Sequence, residues 1–138
     1  MANTQMINFP GNSFHAVSSS AISAGDIVNS ESSDDVMTAV SQAGYAEGTV
    51  LVDTATNADD LIIVGVALTD AAASSTLSVA RTGLFIMTSG AAVTAGALVG
   101  QETTAQKVED ATAFGKVIGR ALTGASAADK YVLVALNC

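Results

Sequence analysis

Tryptophan is absent from this 138-residue chain, and proline, histidine and cysteine occur once each. Aromatics make up 4% of the residues although 49% are hydrophobic. A core this poor in rings must be built from small aliphatic side chains and closely approaching backbone. The single histidine, His15, has no second imidazole with which to share acid–base work, and its stretch of sequence offers no held partner. One His and one Cys cannot complete a tetrahedral zinc site. Cys138 has no second thiol for an intrachain bridge, which leaves an inert thiol or one that pairs with another chain. No run approaches 18 apolar residues, so no membrane span is expected. The first residues carry neither a basic n-region nor an apolar stretch, so no signal peptide is expected.

Positive charge is scarce as well: five Lys and Arg stand against 13 Asp and Glu, a formal net charge of −8. Residues 1–70 hold nine acids (Asp26, Glu31, Asp34, Asp35, Glu47, Asp53, Asp59, Asp60, Asp70) and no base. All five bases fall in residues 71–138 with four acids, a balance of +1. A half-chain without a cation is repelled by phosphate, and no basic stripe offsets it, so nucleic acid is not an expected partner.

Residues 1–21 hold Pro10, His15 and two of the four Phe, and end in a run of Ser. Their irregular pattern predicts an extended N-terminal arm whose Phe9, Pro10, Phe14 and His15 would contact a neighbour. On that reading, deleting residues 1–20 leaves the rest folded. From Ile22 onward, short runs rich in Val, Ile, Leu and Thr are bounded by Gly, Asp, Asn or Ser, which predicts an all-β barrel or sandwich. One segment competes. Ser33 to Gly44 offers a Ser N-cap, two acids in a first turn and a terminal Gly, so 34–43 reads as a short helix or as a strand.

The sequence repeats itself. Val64 to Ala73 matches Ile118 to Ala127, 54 residues later, with six of ten positions identical. Ile22 to Val28 matches Val93 to Val99, 71 residues later. The first copy therefore carries about 17 extra residues between its two motifs. Gly25 and Gly96 would each serve a tight turn feeding a strand. Gly65 and Gly119 would each mark a bend or a close backbone approach within one. The expectation is a small β-barrel over 22–138 built from two similar units, about 22–90 and 91–138, each covering the other's open edge.

The order Ser23 to Val28, Ile62 to Ala72, Arg81 to Phe85, Thr94 to Gly96 and Ile118 to Leu122 resembles the capsid decoration, or cement, proteins of tailed phages. The resemblance runs over about residues 22–138. It implies a non-enzymatic virion protein, made in the host cytoplasm and carried on the outer capsid surface as a homotrimer. There it would bridge major capsid proteins and stabilise the shell, with no cofactor, no metal and no catalytic residue.

The other candidate chemistry is thin. Asp53, Asn57 and Asp59 have calcium-loop spacing, but position six is Ala58 and position twelve is Val64 instead of Gly and Glu, so a turn is expected. Gly115-Lys116 lacks the rest of a phosphate-binding loop. The Ala24 to Val28 turn also resembles that of the lipoyl and biotinyl carriers, which makes a carrier or small binding module the alternative. Lys107, Lys116 and Lys130 lack the flanking sequence that a modified lysine needs. Arg81 and Arg120 read as solvated side chains or as ion-pair partners for a neighbouring subunit.

Overall fold

The computed structural model describes residues 5–8, 12–30, 50–56, 63–102, 104–112 and 117–138, with side chains from residue 12 onward. Among them there is no helix. Eleven strands run in order: β1 (Gln5–Asn8), β2 (Ser13–Ser18), β3 (Ile27–Ser30), β4 (Val50–Thr54), β5 (Ile63–Ala67), β6 (Thr76–Ala80), β7 (Thr82–Thr88), β8 (Leu98–Gly100), β9 (Glu109–Asp110), β10 (Val117–Ala121) and β11 (Tyr131–Asn137). The segment 34–43, read as helix or strand, lies outside the described residues, as do Phe9 and Pro10.

Strands β2-β4-β3-β5-β6 close into a barrel, and β1-β7-β11-β10-β8-β9 form a second sheet. The stretch expected as a separate arm is extended but packed. β1 pairs with β7, and β2 is a barrel stave held antiparallel to β6 and parallel to β4. Ala16, Val17 and Ser18 are fully buried. The reason is visible in the pattern: Ala16, Val17 and Ser18 are small enough to sit against the facing strands, which their Ser-rich flank disguises. Deleting residues 1–20 would remove this stave, so β2 belongs to the barrel and not to a separate arm.

The two sheets repeat one topology, stave for stave. Ile22 and Ala71 exchange backbone hydrogen bonds (2.8 and 2.9 Å), as do Val93 and Ala125 (2.8 and 2.9 Å). Gly25 N–H donates to the Ala67 carbonyl at 2.7 Å, and Gly96 N–H to that of Ala121 at 2.8 Å. Ala55 N–H donates to Ile27, and Ala111 N–H to Leu98, each at 2.8 Å. The parallel β2–β4 pair has its counterpart in a parallel bridge between Ser89 and Val108, which links the end of β7 to the start of β9 and gives five strands of the second sheet a barrel-like closure, called the second barrel below. So β2 to β6 correspond to β7 to β11, and the two units divide between β6 and β7, not at residue 90.

Alternation assigns the faces. In the first barrel Ala16, Val28, Val52, Ala67, Leu77 and Val79 point inward and form its core. Their counterparts Met87, Val99, Val108, Ala121, Val132 and Val134 form the core of the second. Burying each such Val contributes roughly 1.5–3 kcal/mol. The second core is larger, because it also takes in Ile27, Ala55, Val66 and Ala80 from the outer face of the first barrel. That face is received by Phe85, Ile118 and Leu136 at one end of the second barrel, and the whole cluster is at most 4% exposed. Gln106 stitches the contact: its Oε1 accepts from Ile27 N–H at 2.6 Å, and its Nε2 donates to the Ile27 and Ala55 carbonyls at 2.9 Å.

Candidate functional site

The turns come first, because they set the strand ends. Gly25 and Gly96 have φ of 93° and 85°, a left-handed conformation that side chains disfavour. In the first turn Ser23 N–H donates to Asp26 Oδ2 at 2.9 Å. In the second, position 97 is Ala, and Asp110 takes over from across the sheet, accepting from Thr94 N–H at 3.0 Å and Thr94 Oγ1 at 2.8 Å. Gly65 and Gly119 serve close approach. A Cβ on Gly65 would collide with the Ala80 carbonyl, and one on Gly119 with the Ala135 carbonyl. These four glycines shape turns and strand contacts, and none lines the cleft described next.

The expected contact residues separate. Phe14 is half-buried against the first core, while His15 is exposed on the outer face of β2. Phe14 lines a cleft of about 580 Å³ at one end of the first barrel, with Asn12, Ser13, Val50, Ile63, Val64, Arg81 and Cys138. The lining is mostly apolar. Arg81 is occupied at the rim, donating from Nη2 to the Cys138 carbonyl at 2.9 Å. The Cys138 thiol is half-buried, donates to the Ile118 carbonyl at 3.6 Å, and is pushed up to about 11 by burial, against a smaller opposing pull from Arg81. A thiol held neutral in this way is a poor nucleophile and slow to enter a disulfide.

Arg120 is exposed on β10 and donates to the Gly96 carbonyl. Lys107 forms an ion pair with Asp129. Lys130 is exposed just before β11, and Lys116 lies outside the described residues. Among the described residues, no three His, Cys, Asp or Glu side chains gather to hold a metal. Asp53, the first residue of the calcium-like spacing, sits in β4 and accepts from Thr54 N–H at 2.7 Å and from Ser20 Oγ. Asn57 and Asp59 lie outside the described residues.

What the sequence reading missed is a difference between the outer faces of the two barrels. On the first, the equivalent outward positions of β2 and β6 are Ser13, His15, Thr76 and Ser78. On the second they are Leu84, Ile86, Tyr131 and Leu133. Tyr131 is 69% exposed, Leu122 47% and Leu98 37%. The arrangement offers surfaces, a ring-poor cleft and two similar β units packed on each other. Among the described residues, nucleophile, base and oxyanion donors are not gathered in one place.

A family model described as phage cement protein matches residues 52–136, more than half of the chain. No curated protein matches. Among solved structures, the chain is similar to the head fiber gp8.5 N base of bacteriophage phi29. The TM-score is 0.52 at 16% identity, over 91% of this chain and 93% of that one. At that identity the likeness concerns the fold.

Proposed function

The chain belongs to the phage cement protein family, a structural component of the phage head, and from that membership we propose that it sits on the outer capsid surface. There it bridges neighbouring major capsid proteins and stabilises the shell. The observation that carries this reading is the extent of the family match, which runs from β4 through β11 and so takes in most of both barrels. The physical features agree with it. Two fused barrels bonded through Gln106 make a stiff block, and a stiff block loses little conformational entropy when it binds. Weak contacts repeated over a lattice add up to firm attachment without high affinity at any one site. The acidic first half keeps the protein off packaged or free nucleic acid.

We further propose that it acts as a homo-oligomer, with a trimer as the expected state, and that Phe14 and His15 on β2 lie near the capsid contact. Purified virions test the reading. Quantitative mass spectrometry should find this chain in a fixed stoichiometric ratio to the major capsid protein. Absence from virions that package normally would reject it.

A further inference from the structure

The outer face of the first barrel matches its side chains to what lies over them. Where the second barrel covers it, along β3, β5 and the end of β6, the face is apolar: Ile27, Val66 and Ala80 are each at most 1% exposed. Where it meets solvent, along β2 and the start of β6, it carries Ser13, His15 and Thr76, all exposed. The second barrel breaks this match. Its positions equivalent to Ser13, His15, Thr76 and Ser78 are Leu84, Ile86, Tyr131 and Leu133. The same fold thus shows polar groups where water is the neighbour, and its apolar counterpart is the kind of surface that a partner covers.

These residues form one surface. Strand register sets Ile86 beside Leu133, and Leu84 beside Ala135. Arg120 follows Ala135 at the edge, where it donates to the Gly96 carbonyl. Leu122 N–H donates to the Leu133 carbonyl at 2.7 Å, which brings Leu122 to the end of the first row. The row points outward because the alternate residues Met87, Val132 and Val134 fill the core. Tyr131 is 69% exposed and Leu122 47%, while Leu84, Ile86, Leu133 and Ala135 are half-buried. The strands and turn that border this surface (β1, β8, β10 and 122–130) all lie among the described residues.

We infer that this face, centred on Leu133 between Ile86 and Leu122, is the surface that docks on the capsid. It takes a patch of shell protein that is apolar at its centre and offers a carboxylate or carbonyl acceptor to Arg120. Size decides between the shell and a second copy. Half-buried side chains of this number present on the order of a few hundred Å², against about 800 Å² per partner in a stable pair of free proteins. Two free copies would have to hold through that contact alone, against a net charge of −8 on each. On a shell, an oligomer with one such face per chain engages several lattice sites at once, so each contact can be weak. The inference rests on the proposed capsid attachment and adds the surface that makes it.

The test adds the full chain to capsids stripped of this protein and measures the concentration for half-occupancy. Leu122→Asp with Tyr131→Asp changes the two most exposed residues of the row. Ala73→Asp, at an exposed position on a turn of the first barrel, adds charge elsewhere. The face variant should need about tenfold more protein than wild type, or worse, and the control about the same as wild type. Circular dichroism checks that both are folded. Should the Asp pair unfold, Leu122→Gln with Tyr131→Gln replaces it, with a smaller shift in the same direction. A folded face variant that attaches like wild type overturns the inference and leaves capsid attachment standing. Wild type that fails to attach removes capsid attachment itself, and the inference with it. Light scattering without capsids covers the other occupant. Equal masses for wild type and face variant support the inference, whereas a wild-type oligomer that the face variant breaks into smaller species puts a second copy on this surface and overturns it.

Discussion

Ser18 and Ser89 hold the same post in the two barrels. Ser18 Oγ donates to the Ala72 carbonyl at 2.5 Å and accepts from Ser75 N–H at 3.3 Å. Ser89 Oγ donates to the Ala127 carbonyl at 2.8 Å and accepts from Lys130 N–H at 3.0 Å. Both residues are fully buried, and each backbone accepts an amide from the positive-φ residue of the facing turn, Ser74 or Asp129, at 2.8 Å. One hydroxyl thus pins a turn of small residues that has little other means of holding its shape. Ser89→Ala leaves a buried carbonyl short of a donor and should cost about 1–3 kcal/mol. Ser18→Ala should cost a similar amount. Urea unfolding at unchanged slope measures both.

Thr88 is the counterpart of Val17, and its buried Oγ1 has no hydrogen-bond partner. The site is shaped for a β-branched side chain and has no use for the hydroxyl. Thr88→Val should therefore stabilise the protein by about 1 kcal/mol, against the usual direction of core substitutions. A lowered midpoint in the same unfolding experiment would show that the hydroxyl is satisfied.

Gly96 and Gly119 separate two kinds of constraint. At Gly96 φ is 85° and nothing lies within 4 Å of an added Cβ, so Gly96→Ala meets only backbone strain, about 1–2 kcal/mol. At Gly119 an added Cβ meets the Ala135 carbonyl, and β10 and β11 must part to admit it. Gly119→Ala should cost about 3 kcal/mol or more. Equal effects at the two sites would contradict this division.

Cys138 gives stability a pH dependence on the alkaline side. Its folded pKa is raised to about 11 from the ordinary 9.0, chiefly by burial. The folded state therefore holds the proton more tightly than the unfolded chain. The associated stability is fully present below pH 9 and is lost as pH rises through 11, on the order of 1–3 kcal/mol. Cys138→Ser should flatten the loss between these limits, and thiol labelling of the folded protein at pH 7 should be slow.

Much of this architecture was legible because turn chemistry is local. Gly25 and Gly96, with their flanking Ser/Thr-Ala, and Gly65 and Gly119, with the Ala-Leu-Thr that follows, mark equivalent turns and bends in plain sequence. The strand β2 was not legible, since a Ser-rich run resembles a loop until its facing strands are known. A signal did exist: Phe14 and Phe85, and Ser18 and Ser89, recur at the same 71-residue spacing as the Ala-Gly turns. The outer faces were illegible for a different reason. Ile27 and Leu98 are chemically alike, and only the docking of one barrel on the other buries the first and leaves the second exposed.

Shell reinforcement tests the central claim most directly. Capsids stripped of this protein, or assembled without it, would be heated with and without the purified chain while genome release or shell disruption is followed. The account predicts saturable attachment and a disruption temperature that rises with occupancy. Attachment that leaves the disruption temperature unchanged, or no attachment to the matching capsid at any concentration, would contradict it.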